Sequence, residues 1–232
     1  MLSDCCRIAP GPTRKRRALR ITGARVTGRY ARRMTSNDPD PQHDTHRLMI
    51  VIASIRQGRG GLSVGRWFEE QAAQHEAFVL DVVDLAELDL PLMTEPNHPR
   101  LQRYTQQHTK AWSARVSAAD AFVFVIPEYN HGLNAATKNA IDFLYAEWNN
   151  KAAGFVGYGS AGGVRAVEQL RLVMAEVQVA TVRNQVALSL FTDFEEYTKF
   201  KPAAHHEKSL EQMLNQLVAW SGALKTLRDG QK

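Results

Sequence analysis

The sequence predicts an α/β protein, a doubly wound sheet of five parallel strands with helices on both faces. Three observations lead there. Apolar, β-branched runs recur without an inside-outside alternation, as in strands covered on both faces. Segments with apolar residues at helical spacing lie between them. The two kinds of segment alternate along most of the chain, which is the pattern of a parallel sheet wrapped by its own crossovers.

Each element has its own signal. Residues 47–54 form an apolar strand. Residues 62–75 carry Val64, Trp67, Phe68 and Ala72 at helical spacing. Residues 77–85 form a second strand, followed by a loop containing Pro91, Pro96 and Pro99. Residues 104–118 are helical. Residues 120–126 form a continuous apolar strand that Pro127 ends. Residues 134–145 are helical, with Asn134 placed to cap the first turn. Residues 152–158 form the fourth strand and 164–177 an amphipathic helix. Residues 181–190 form the fifth strand. A polar stretch then runs to Lys208, with His205 and His206 read as solvated, before a last helix at 210–227.

Charge and composition bound the function. The apolar fraction of 44% and charged fraction of 23% are those of a globular chain without a membrane span. The net charge of +5 is uneven: residues 1–43 carry +7 and the remainder −2. A nucleic-acid binder needs a basic face on its folded part, so nucleic acid is not the expected partner. The two cysteines, Cys5 and Cys6, are adjacent. The body therefore folds without disulfides, which fits the cytoplasm.

Two regions follow from this. Residues 1–46 form a basic leader whose composition predicts disorder, and residues 47–232 form the folded domain. Three accounts of the leader stay open: a transit-like segment, a nucleic-acid- or partner-binding arm, and translation from a start codon upstream of a true start at Met34. The last is favoured, because a short polar stretch separates Met34 from the first strand. His43 and His46 are read as incidental.

Ligands of such sheets bind at the carboxyl ends of the strands, where three loops stand out. The first is Ala53-Ser54-Ile55-Arg56-Gln57-Gly58-Arg59-Gly60-Gly61, opening a helix. Glycines allow close backbone approach, a helix N-terminus attracts anions, and Arg56 and Arg59 offer charge-assisted bonds to phosphate. It matches neither the Walker nor the dinucleotide glycine pattern. The second is Pro127-Glu128-Tyr129-Asn130-His131-Gly132, with a ring face and backbone amides for the polar edge of a planar ring. The third is Tyr158-Gly159-Ser160-Ala161-Gly162-Gly163, which fits a ligand approach or a tight strand-to-helix turn equally. The sequence shows no metal-ligand spacing and no nucleophile elbow. No catalytic acid or base is assigned; the loops suit a cofactor that carries the chemistry itself.

These residues resemble the NAD(P)H-dependent FMN reductase family, with its quinone and azo-dye reductases. The match rests on Ser54-Ile55-Arg56-Gln57-Gly58-Arg59, Pro127-Glu128-Tyr129-Asn130, Lys138-Asn139-Ala140-Ile141-Asp142 and Gly159-Ser160-Ala161-Gly162-Gly163. It extends from about residue 47 to about residue 192. Ala53 stands where glycine is common, and Leu133-Asn134 replaces a Tyr-Pro-type pair, which bears on acceptor specificity.

The resemblance implies a flavodoxin-like fold with strand order 2-1-3-4-5 and FMN at the strand ends. Ser54, Arg56 and the backbone of Arg59, Gly60 and Gly61 would hold its phosphate. Pro127, Glu128, Tyr129 and Asn130 would line the flavin ring, and Gly159, Ser160 and Gly162 would close over its other edge. NADPH or NADH would donate electrons to a quinone, flavin, azo dye or other small acceptor. A homodimer or homotetramer is implied, with residues 89–96 of a partner near the flavin. Two rivals differ in kind. An FMN electron shuttle would not oxidise nicotinamide, and the near-neutral body speaks against the strongly acidic surface such shuttles use for docking. A non-enzymatic scaffold would use the basic leader as its arm.

Overall fold

The computed structural model describes residues 45–230. The leader readings, including Cys5, Cys6, His43 and the Met34 start, lie outside those residues, apart from His46. His46 is the buried first residue of the first strand, not part of a tail.

The chain runs β1 (His46–Ile52), α1 (Gly61–Ala72), β2 (Phe78–Asp84) and a short α2 (Leu85–Leu88). A 3-10 turn at Pro99–Leu101 precedes α3 (Gln107–Ala118), β3 (Ala121–Pro127), α4 (Ala135–Asp142), β4 (Lys151–Gly159) and α5 (Val164–Glu176). Then come β5 (Val179–Thr181), β6 (Val186–Ser189), a hairpin of β7 (Phe194–Glu195) and β8 (Lys199–Phe200), and α6 (His205–Asp229). The main sheet is parallel, in the order β2-β1-β3-β4-β5, with β6 also on β4. This is the expected flavodoxin-like order.

Strand alternation builds a core on each side. Leu48, Ile50, Val123 and Val125 face one side and pack with α1 and α6 through Val64, Phe68, Met213 and Leu217. Met49, Val51, Phe122 and Phe124 face the other and pack with α3, α4 and α5 through Trp112, Ile141, Val167 and Leu170. Trp148 fills the second core, its ring centroid 4.9 Å from that of Phe122. Every residue of β3 and β4 is buried. That explains why their sequences are apolar throughout, since neither face reaches water.

Three expectations are corrected. The strand read as 181–190 is two pieces, β5 and β6, both parallel to β4. The polar run Arg183-Asn184-Gln185 interrupts it, held by Arg171, which donates to the Val182 carbonyl at 2.7 Å and to Gln185 Oε1 at 3.0 Å. The polar stretch before the last helix contains the β7–β8 hairpin. His206 is buried on α6, not solvated, and its Nε2 lies 2.8 Å from Asp193 Oδ1. Among the described residues no helix is long and apolar enough to cross a membrane.

Candidate functional site

The loops after β1, β3 and β4 converge with the β7–β8 hairpin around a cleft of about 130 Å³. Of the residues singled out from sequence, Arg56, Arg59, Gly60, Pro127, Glu128, Tyr129 and Gly159 line it.

Ser54 and Gly61 do not line it; both are buried and lie against Tyr158, which does. The Ser54 hydroxyl and the Tyr158 phenol are both buried; they face each other, and neither has a further hydrogen-bond partner. Both rest against the first residue of α1: a Cβ on Gly61 would sit 2.1 Å from Ser54 Oγ and 2.4 Å from the Tyr158 oxygen. Glycine is required here for close approach. Helix α1 has no side-chain cap and no acidic residue in its first turn, so its positive end is available to an anion. Burial pushes the Tyr158 phenol up from its ordinary pKa, so it stays a neutral donor. Two buried donors lacking an acceptor, at an uncapped helix N-terminus, fit a phosphate group. Leaving them without one is costly.

The two arginines divide their work. Arg56 is exposed at the cleft. Arg59 is not available in the way the sequence suggested: its Nη1 and Nη2 donate to the two carboxylate oxygens of Asp84, each at 2.6 Å. Nη1 also donates to the Ser54 carbonyl. Its hydrogen bonds with Asp84 raise the Arg59 pKa further, against the cost of burial. Arg59 therefore ties the phosphate loop to the end of β2, and its guanidinium is not free to grip a phosphate.

The second loop is a tight turn. The Tyr129 N–H donates to the Gly132 carbonyl at 3.0 Å and the Gly132 N–H returns the bond at 3.1 Å. Between them Asn130 (φ 48°) and His131 (φ 72°) are left-handed, as in mirror-image hairpin turns. The Glu128 N–H donates to the Tyr158 carbonyl at 2.9 Å. The amides of Glu128 and Tyr129 are thus committed to the protein, which leaves the Tyr129 ring and Pro127 as the planar walls. The Glu128 carboxylate accepts from the Arg165 N–H at 3.1 Å and pairs with its guanidinium, so it caps α5.

The third loop is mostly a strand-to-helix turn. A Cβ on Gly163 would lie 2.4 Å from the Tyr158 nitrogen, and one on Gly162 would lie 3.1 Å from Ala187 Cβ. Gly159 reaches the cleft, whereas Asn130, Ser160 and Gly162 do not line it. Asn134 caps no N–H through its side chain. Its Nδ2 instead donates to the Ala53 carbonyl at 2.7 Å, joining the first two loops.

Residues given no role from sequence complete the site. Tyr158, which opens the third loop, supplies the second hydroxyl, and Asp84 anchors Arg59. Leu190, Phe194, Tyr197 and Thr198 form the far wall. The only sequence signal for Tyr158 is its place at the apolar strand's end, just before the glycines.

A doubly wound sheet in this strand order, with a cleft and aromatic walls at its strand ends, defines a protein of flavodoxin-like architecture. Comparison with known proteins narrows the class. A sequence model of the family described as NADPH-dependent FMN reductase matches residues 46–193. An NAD(P)H-dependent FMN reductase of Schizosaccharomyces pombe is 34% identical over 171 residues, covering 73% of this chain and 86% of the relative. An NADPH azoreductase of Bacillus sp. (strain OY1-2) is 31% identical over 145 residues, 61% of this chain and 76% of the relative. Among solved structures, the flavoenzyme NAD(P)H:(acceptor) oxidoreductase FerB of Paracoccus denitrificans has the same fold. Its TM-score is 0.61 at 18% identity, covering 77% of this chain and 98% of that one. The chain belongs to the NADPH-dependent FMN reductase family.

Proposed function

We propose that this chain binds FMN in the cleft, oxidises NADPH or NADH, and reduces small acceptors such as quinones, flavins or azo compounds. The observation that carries this is the pair of buried hydroxyls, Ser54 and Tyr158, with no partner beyond each other, set against Gly61 at the uncapped start of α1. Bound FMN would supply the redox chemistry, hydride and electron transfer between reduced nicotinamide and the acceptor. The protein holds and orients it. Ser54 and Tyr158 donate to phosphate oxygens, Arg56 adds a cation, and Arg59 fixes the loop from behind. Pro127, Tyr129 and Gly159 flank the ring. Family membership favours this reading over an electron shuttle.

The reading includes a homo-oligomer in the cytoplasm. Leu92 and Leu172 are 77% and 76% exposed. A groove of about 630 Å³ between α4, α5 and the segment 93–100 is largely apolar. A second copy would cover this face, and residues 89–96 of that partner would reach the site. The absence of cysteine beyond Cys6 suits a reducing compartment.

The test is an absorbance spectrum of the purified protein before and after anaerobic NADPH or NADH. Flavin bands near ~450 nm that bleach are expected. A protein that stays colourless after incubation with FMN would refute the flavin assignment. Bands that neither nicotinamide bleaches would favour the shuttle.

A further inference from the structure

The hairpin that walls the cleft contains a backbone anomaly. Its turn holds Glu196 at φ 51° and Tyr197 at φ 59°, closed by the Thr198 N–H donating to the Glu195 carbonyl at 3.1 Å. Such mirror-image turns favour Asn, Asp and Gly. A bulky aromatic in the left-handed region is strained, and strain of this kind gathers at ligand sites.

Core packing does not compensate Tyr197. Its ring is 64% exposed and stands edge-on, at 5.8 Å and 87°, to Phe191, itself 66% exposed. Tyr197 nevertheless lines the same cleft as Tyr129 and Gly60.

The base of the hairpin, by contrast, is firmly held. Asp193, buried, accepts from the Ser189 N–H at 2.8 Å and the Ala203 N–H at 3.2 Å, and pairs with buried His206. Phe194 packs on Phe200 at 5.2 Å, and a Cβ on Gly60 would meet the Phe194 ring at 3.2 Å. A rigid base therefore presents an exposed ring at the cleft mouth. Residues 194–200 lie beyond the stretch that the family model matches.

We propose that Tyr197, braced by Phe191, is a specificity-determining contact that stacks on the ring of an uncharged, planar aromatic acceptor of the quinone class. The proposal rests on the FMN-dependent reading above. The charge at the tip favours a neutral ring. Glu196 places an exposed carboxylate beside Tyr197, and Lys199 and Lys201 both turn to Glu195, at 3.1 and 2.7 Å. In the overall reaction the quinone takes up the two electrons of the NAD(P)H hydride and two protons, one of them from solvent. It leaves as the hydroquinone, and the nicotinamide leaves oxidised.

Tyr197→Gly separates a binding role from a structural one, because glycine relieves the strained turn while removing the ring. In the full-length, FMN-loaded protein, NADPH oxidation is followed with a naphthoquinone and, separately, with ferricyanide, an anion without an aromatic ring. The ratio of the naphthoquinone KM to the ferricyanide KM is expected to rise roughly 3- to 10-fold, the worth of one aromatic contact. Tyr197→Trp restores the ratio, and the Tm of Tyr197→Gly does not fall. An unchanged ratio, a change that Trp fails to reverse, or a collapsed Tm overturns the proposal. If the native protein takes up no FMN, both this proposal and the functional reading fail; if it takes up FMN that NADPH reduces and the ratio stays flat, only this one does.

Discussion

Replacing Asp84 by asparagine probes how the phosphate loop is held. Asp84 receives both arms of the Arg59 fork at 2.6 Å, and the two side chains are 6% and 15% exposed. The asparagine side chain would keep the shape and one acceptor oxygen but would turn an amide against a guanidinium nitrogen, donor to donor. It would also leave the Arg59 charge without its counterion. Removing one partner of a buried pair costs ~3–5 kcal/mol. The residual exposure of Arg59 lowers this to about 2–4 kcal/mol. The cap that Asp84 Oδ1 provides to the Ala86 N–H, at 3.0 Å, survives through the amide oxygen. In a domain of this size each kcal/mol moves Tm by ~2–4 °C, so a fall of roughly 5–15 °C is expected by circular dichroism. FMN affinity falls with it, because Arg59 no longer holds the Ser54 carbonyl. The double variant Asp84→Leu, Arg59→Met regains stability, since no charge is left buried, but not FMN affinity. A single variant with Tm within ~2 °C of the native value and unchanged FMN affinity would refute the anchoring role.

Other perturbations give sharper contrasts. Gly61→Ala places a methyl on the two hydroxyls, so FMN affinity falls at least ~tenfold in a fluorescence titration, although alanine is the better helix former. Ser54→Ala and Tyr158→Phe each weaken FMN by ~1.5–3 kcal/mol, the worth of a charge-assisted bond. Without FMN each leaves stability equal or higher, because an unsatisfied buried hydroxyl is gone. Arg56→Ala weakens FMN by a similar ~1.5–3 kcal/mol; unchanged affinity would remove Arg56 from the phosphate site. Lys151, buried where it donates to the Val116 carbonyl at 2.7 Å, is pushed down to about 7 by burial and by the Arg228 charge. An unfolded lysine titrates near 10.5, so between these values the unfolded chain binds more protons and stability rises with pH. Urea midpoints at about pH 7 and pH 9 should show the rise, and Lys151→Met should flatten it.

The sheet was legible because burial on both faces leaves a plain mark, uninterrupted apolar runs such as Ala121–Pro127. The loop after β1 stood out as a candidate anion site because its chemistry is local: hydroxyl, glycines and helix start fall within a few residues of one another. What stayed hidden depends on distance along the chain. Asp84 meets Arg59 from 25 positions away, and no spacing rule links them. Tyr158 read as the last residue of an apolar strand, and only the fold sets its oxygen beside Ser54. The hairpin lacked the glycine or asparagine turn that reveals such elements, because Glu196 and Tyr197 occupy the left-handed positions. His206 sat in a polar run that gave no sign of its buried partner Asp193.

Everything proposed for the cleft depends on Ser54, Tyr158 and the start of α1 forming a phosphate cradle. Parallel fluorescence titrations of the protein, freed of any flavin, with FMN and with riboflavin isolate that cradle, since the two ligands differ only in the phosphate. FMN is expected to bind at least ~100-fold more tightly, the sum of two or more charge-assisted bonds. Equal affinities would mean that no phosphate is held there.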